Sequence, residues 1–157
     1  MPSAEQDAFM GAVKPSNPKD AIGISKVPLS TVSAPVLLEI GLGMAEGAIK
    51  YGRHNYRTIG VRASVYYDAA MRHLMSWWEG EDLDPDSGLS HISKCIASLV
   101  VLRDAMIMSK MTDDRPPAAP KEFMNNLNAA MKLVLKKYEG KEHVKPYLES
   151  THPSGNK

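Results

Sequence analysis

Apolar positions along this chain fall into helical stretches separated by irregular ones. From Val36 to Tyr51, Leu37, Leu38, Gly41, Leu42, Ala45, Ala48 and Ile49 recur at steps of three and four, which predicts a helix. Pro35 suits its first turn and Gly52 its stop. Tyr67, Met71, Leu74, Met75 and Trp78 form a second apolar face and predict a helix from a Ser64 cap to Glu79, ended by Gly80. A third helix starts between Ser87 and Ser90 and runs to Met108. Its middle, Ile96 to Leu102, is apolar on nearly every side, which predicts a central position. In a fourth, Glu122 to Tyr138, Phe123, Leu127, Ala130, Met131, Val134 and Leu135 share one side while Lys132, Lys136 and Lys137 fall elsewhere.

The first 34 residues hold no periodic apolar face and include Pro2, Pro15, Pro18, Pro28, Gly11 and Gly23, so an irregular arm is expected there. Asp113 to Pro120 is a linker with three prolines, and the chain from Gly140 is polar. No stretch alternates as a strand would, and no internal repeat is visible. The expectation is an all-α fold: an irregular arm over 1–34, a compact bundle of about four helices over 35–139, and a flexible tail over 140–157.

At 157 residues one domain is the default, and a chain of this size buries roughly 70% of its unfolded surface. The net charge of +1 supplies no broad basic field, so nucleic acid is not an expected partner. Cys95 is the only cysteine and sits in an apolar run, which excludes an intrachain disulfide and suits a reducing compartment. No segment approaches the ~20 apolar residues of a membrane span. Met1 to Met10 lacks a signal peptide's basic and apolar regions, so a cytoplasmic protein is expected. A Gly-Lys-Ser/Thr phosphate loop, a dinucleotide glycine fingerprint and zinc-type Cys/His spacing are all absent from the sequence.

The chemistry lies in the charged residues set among apolar ones. Glu39 and Glu46 are nearly two turns apart on the first helix and project from one face, with Lys50 one turn further. They read either as ligands of a divalent metal or as a solvated stripe with a Glu46–Lys50 pair. Asp68, Arg72 and Glu79 share a face of the second helix, beside His73. Glu79 to Asp86 holds five carboxylates in eight residues. Counted from Asp82, the sixth and twelfth positions are Ser87 and Ser93, which excludes an EF-hand. His91 and Lys94 lie on one face of the third helix, where polar groups require partners or a cavity. Lys50-Tyr51-Gly52-Arg53-His54-Asn55-Tyr56-Arg57 packs cations, aromatics and an amide together, a composition suited to phosphate oxygens and a stacked base. Lys19 and Lys26 could add phosphate contacts.

Several of these segments together resemble the phage-type dATP/dGTP diphosphohydrolase family. They are Asn17-Pro18-Lys19-Asp20-Ala21-Ile22-Gly23, Lys26-Val27-Pro28-Leu29, Gly47 to Gly52 with Asn55, Ala69 to His73, and Gly80 to Gly88 with His91. The resemblance implies hydrolysis of a purine deoxynucleoside triphosphate to monophosphate and pyrophosphate, with Mg²⁺ or Mn²⁺. A wider similarity, to the MazG-like all-α pyrophosphohydrolases, rests on the Glu79-Gly80-Glu81-Asp82 spacing; the first acidic element of that pattern is missing, since Leu42 follows Glu39 and Ile49 follows Glu46 by three residues. The expected roles are Glu39 and Glu79 in catalysis, and Glu39, Glu46, Glu79, Asp82 and Asp84 on the metal. Lys19, Lys26, Lys50, Arg53, Asn55, Arg72, His91 and Lys94 are expected on the nucleotide. The competing expectation is a phage sponge that sequesters a signalling nucleotide without turnover. The apolar face of the fourth helix and the Trp77-Trp78 pair predict a homodimer or homotetramer.

Overall fold

The computed structural model describes residues 17–141; the expectations for 1–16 and 142–157 lie outside the described residues. The described chain is mainly helical, as its periodicity predicts. Its helices are α1 (Pro18–Gly23), α2 (Ala34–Tyr51), α3 (Asn55–Thr58), α4 (Ala63–Trp78), α5 (His91–Ile107) and α6 (Phe123–Lys137), with a 3₁₀ turn at Leu29–Thr31. Two two-residue strands, β1 (Val61–Arg62) and β2 (Met111–Thr112), complete it. The contacts divide into two units between Arg115 and Pro116. No helix among the described residues is long and apolar enough to cross a membrane.

The arm departs from the expected irregularity. Asn17 caps α1 by accepting from the Lys19 amide at 3.0 Å, and Pro18 occupies the first turn, where its missing N–H costs nothing. Local capping chemistry thus makes a short helix without any apolar face.

The first unit is built around α5, which packs against α4, α2, α3 and β2, the central position its apolar middle predicts. Small side chains set the spacing. Ala63 and Ala70 of α4 and Cys95, Ala97 and Ala105 of α5 are buried, Ala105 completely. A Cβ added at Gly43 of α2 would stand 3.3 Å from the Ala97 Cβ, so the Gly43 backbone of α2 lies close against the Ala97 methyl of α5. The bulky residues of α2 stay outside this contact: Leu37, Leu38, Leu42 and Ile49 are exposed.

The strands run parallel, Val61 opposite Met111 and Arg62 opposite Thr112, and close the α4–α5 hairpin at its open end. Gly60 makes this possible. Its φ is +90°, and a Cβ would lie 2.6 Å from the Lys110 carbonyl oxygen, which instead accepts from the Val61 amide at 3.0 Å. Ser64 does not cap α4 as expected. The helix begins one residue earlier, and Asp114 serves its first turn, accepting from the Ser64 amide at 2.8 Å and the Ser64 hydroxyl at 2.5 Å. In the second unit α6 is an amphipathic helix with no buried residue.

Candidate functional site

A cleft of about 670 Å³ opens between the second half of α2, the Gly52–Tyr56 segment, α4 and α5. Gly52 ends α2 with φ +95° and ψ 143°, a conformation natural only to glycine, and His54 follows in the left-handed region at φ 54°. This double reversal turns Arg53, His54 and Asn55 along the cleft rather than away from it. His54 Nδ1 and the buried Tyr56 hydroxyl are 3.0 Å apart, which fixes the strained residue. Lys50, Arg53 and Lys94 bring cationic side chains to the wall, Tyr51 and Tyr66 bring aromatic ones, and Glu46 is the only carboxylate among the described lining residues.

Lys94 organises the polar floor. Its ammonium donates to Asp84, to the Ser87 hydroxyl at 3.0 Å and to Glu46 at 3.2 Å. Burial alone would lower the Lys94 pKa, but its bonds to Asp84 and Glu46 outweigh that and hold it above the ordinary lysine value. Lys50 donates to Glu46 at 2.6 Å, and this bond, aided by Lys94, keeps the Glu46 carboxyl below its usual range. Asp84 is held far lower, first by Lys94 and then by the Asp86 amide and Ser87 hydroxyl. It is the anchor of the acidic turn: the Asp86 amide donates to its side chain at 3.1 Å, and the Gly88 amide to its carbonyl at 2.7 Å. Ser90 caps α5 by accepting from the Ser93 amide, within the start expected between Ser87 and Ser90.

A second network lies deeper. His91 is buried; its Nε2 lies 3.0 Å from a Glu81 carboxylate oxygen, and its Nδ1 lies 2.9 Å from Nδ1 of His73, which lines the cleft. No buried side-chain nitrogen or oxygen among the described residues lacks a partner.

The structure brings together part of the expected site. Lys50, Arg53, Asn55 and Lys94 share the cleft wall with Glu46. His91, expected on the nucleotide, has both its ring nitrogens engaged inside the protein. Lys19, Lys26 and Arg72 are exposed and are not among the cleft-lining side chains. Glu39 accepts from the Ser93 hydroxyl at 2.6 Å. Glu79 forms the exposed C-cap of α4, and Asp82, also exposed, accepts the His91 amide through its backbone carbonyl.

The five carboxylates expected on a metal therefore do not converge. Among the described residues no three His, Cys, Asp or Glu side chains meet in an arrangement that could hold a metal ion. Glu46 and Asp84 share the Lys94 ammonium. A cation supplied by the chain already neutralises them, so these residues do not fit a resident Mg²⁺. His73, Glu81, His54 and Ser87 are site residues that spacing along the sequence did not single out.

Residues 16–115 match the family described as dATP/dGTP diphosphohydrolase, N-terminal. A dATP/dGTP diphosphohydrolase of Salmonella phage PMBT28 is 29% identical over 90 residues, which are 57% of this chain and 30% of that relative. The chain thus matches less than a third of the relative's length. No solved structure matches it.

Proposed function

The chain belongs to the phage-type dATP/dGTP diphosphohydrolase N-terminal family, and from that premise we propose that its cleft takes a purine deoxynucleoside triphosphate for hydrolysis to monophosphate and pyrophosphate. The observation that supports this most is the cleft wall: Lys50, Arg53 and Lys94 stand together in a cavity of about 670 Å³ that also presents tyrosine rings and the Asn55 amide. Ligand pockets have volumes of about 300–1,000 Å³. Ammonium and guanidinium groups suit phosphate oxygens, Arg53 by a fork of donors and the lysines as point charges. The Tyr51 ring, largely exposed at the rim, offers a face to a base, and the Asn55 amide offers both a donor and an acceptor.

In this reading Mg²⁺ arrives as part of the substrate, complexed by the triphosphate, and not on a protein cage. The product of such an activity is a purged purine deoxynucleotide pool, a role fitting a phage in its host's cytoplasm. The exposed Leu37, Leu38, Leu42 and Ile49 on α2 support assembly as a homodimer or homotetramer, which sedimentation of the full chain measures directly.

The test is incubation with each common nucleoside triphosphate, with chromatographic detection of monophosphate and pyrophosphate, alongside calorimetric binding with and without chelator. Pyrophosphate release from dATP or dGTP is the expected result. Tight binding with no product would select the sequestering protein instead, and neither binding nor turnover would sink both readings.

A further inference from the structure

The side chains of Glu81, His91 and His73 form one chain of hydrogen bonds that ends at the cleft. Its geometry dictates where the protons sit. The Glu81 carboxylate can only accept, so Nε2 of His91, 3.0 Å away, carries hydrogen. With its ring neutral, His91 then has a bare Nδ1. Nδ1 of His73 stands 2.9 Å from that atom, and two facing nitrogens bond only when one of them carries a proton. That proton belongs to His73. A neutral His73 is left with one free lone pair, on Nε2, in a ring that lines the cleft beside Lys94 and Glu46.

Resting on the hydrolase reading of the cleft, we propose that His73 is the general base of the reaction, and that His91 and Glu81 are the positioning residues that set its tautomer. Nε2 of His73 takes a proton from water. The water oxygen forms its bond to the α-phosphorus as the bond from that phosphorus to the α,β-bridging oxygen breaks, and the electron pair leaves on pyrophosphate. In this reading Lys50 and Arg53, both lining the cleft, meet the charge released on pyrophosphate. The imidazolium formed at His73 is stabilised through His91 by the Glu81 carboxylate.

The surroundings keep this base unprotonated. Burial of the ring is the first cause that lowers the His73 pKa, and the charges of Lys94 on α5 and of Arg72 on α4 add to it, against an opposing pull from Asp84. A ring of lowered pKa stays in its accepting form at neutral pH.

Two readouts test this on the full chain. In ¹⁵N NMR, Nε2 of His73 and Nδ1 of His91 should show the pyridine-type shift, and the other two ring nitrogens the pyrrole type. The opposite pattern overturns the proposal whatever the activity. In single-turnover hydrolysis of dGTP and dATP, His73→Gln should lose about 10²- to 10⁴-fold in rate while its Kd for a non-hydrolysable triphosphate stays near the parent's. Glu81→Gln keeps an acceptor for His91 but removes the charge; its kcat should fall with KM unchanged, and its acid limb should shift relative to the parent's. A His73→Gln protein that turns over like the parent refutes the base and leaves the hydrolase reading standing. A parent that binds triphosphate without cleaving it refutes both. Equal losses of binding and rate in both variants would make the chain a structural device, not a catalytic one.

Discussion

Arg57 and Asp104 are joined by two parallel hydrogen bonds, Nε to one carboxylate oxygen at 2.7 Å and a terminal guanidinium nitrogen to the other at 2.6 Å. Each group shifts its partner: the carboxylate raises the Arg57 pKa, and the guanidinium lowers that of Asp104. The pair ties the single turn α3 to the central helix α5. Asn55 and Tyr56, the cleft residues of α3, are positioned through it. Arg57→Lys keeps the charge and removes the fork. Triphosphate affinity should fall several-fold in calorimetry with little movement of the melting temperature, because the pair is partly exposed and screened. An unchanged affinity would mean α3 is held by Tyr56 burial alone.

Lys50 and Arg53 test the phosphate grip. Alanine at either position should raise the Kd for dGTP by about tenfold and leave that for deoxyguanosine near the parent's, since the lost contact is to phosphate. The loss should shrink as ionic strength rises. Equal losses for nucleotide and nucleoside would assign these residues to the base or to the fold.

Acid should weaken the first unit through its carboxylates. Glu46, Asp84, Asp104 and Asp114 are all held below the ordinary carboxylate range. Groups with a depressed folded-state pKa stabilise fully above the unfolded value and lose that contribution as pH falls through the folded one. Melting temperature should therefore vary little in its carboxylate-dependent part down to about pH 5 and drop steeply below about pH 4. In Asp84→Asn the drop should be shallower, because the most strongly depressed group is gone. At neutral pH, Lys94→Met should cost about 1–3 kcal/mol by leaving the mostly buried Asp84 and Glu46 side chains short of their counter-ion.

Gly60→Ala should be among the most damaging single-methyl changes in the chain. It places a Cβ against the Lys110 carbonyl at 2.6 Å on a backbone whose φ is +90°. A loss of about 1–3 kcal/mol in denaturant unfolding is expected from the strained backbone, with the clash adding to it. Gly80→Ala, also at positive φ but with no atom within 4 Å of the new Cβ, should cost less and serves as the control.

The helices were legible because spacing alone determines a helix face, as α4 and α5 illustrate. The basic wall was legible too, since Lys50 to Asn55 are contiguous and a helix stop followed by a turn keeps neighbours together. The carboxylates misled because density along the chain is not convergence in space. Glu79 and Asp82 turn outward from a loop whose geometry Asp84 sets, and Lys94 neutralises Asp84 and Glu46. His91 looked like a ligand-binding group because its partners, His73 and Glu81, lie 18 and 10 residues away and meet it only after the acidic turn reverses the chain. The same distance hid the Asp114 service to α4, 50 residues from Ser64, behind a nearer and equally suitable cap.

The paired strands also say something about how this chain could be edited. Because β1 and β2 run parallel, the backbone leaves the α4–α5 hairpin heading the way it entered, through the adjoining lane. The hairpin is therefore a cassette with a single doorway, locked by Gly60 on one side and Asp114 on the other. The His73–His91–Glu81 chain lies wholly between Gly60 and Asp114, so it travels with the cassette as one piece.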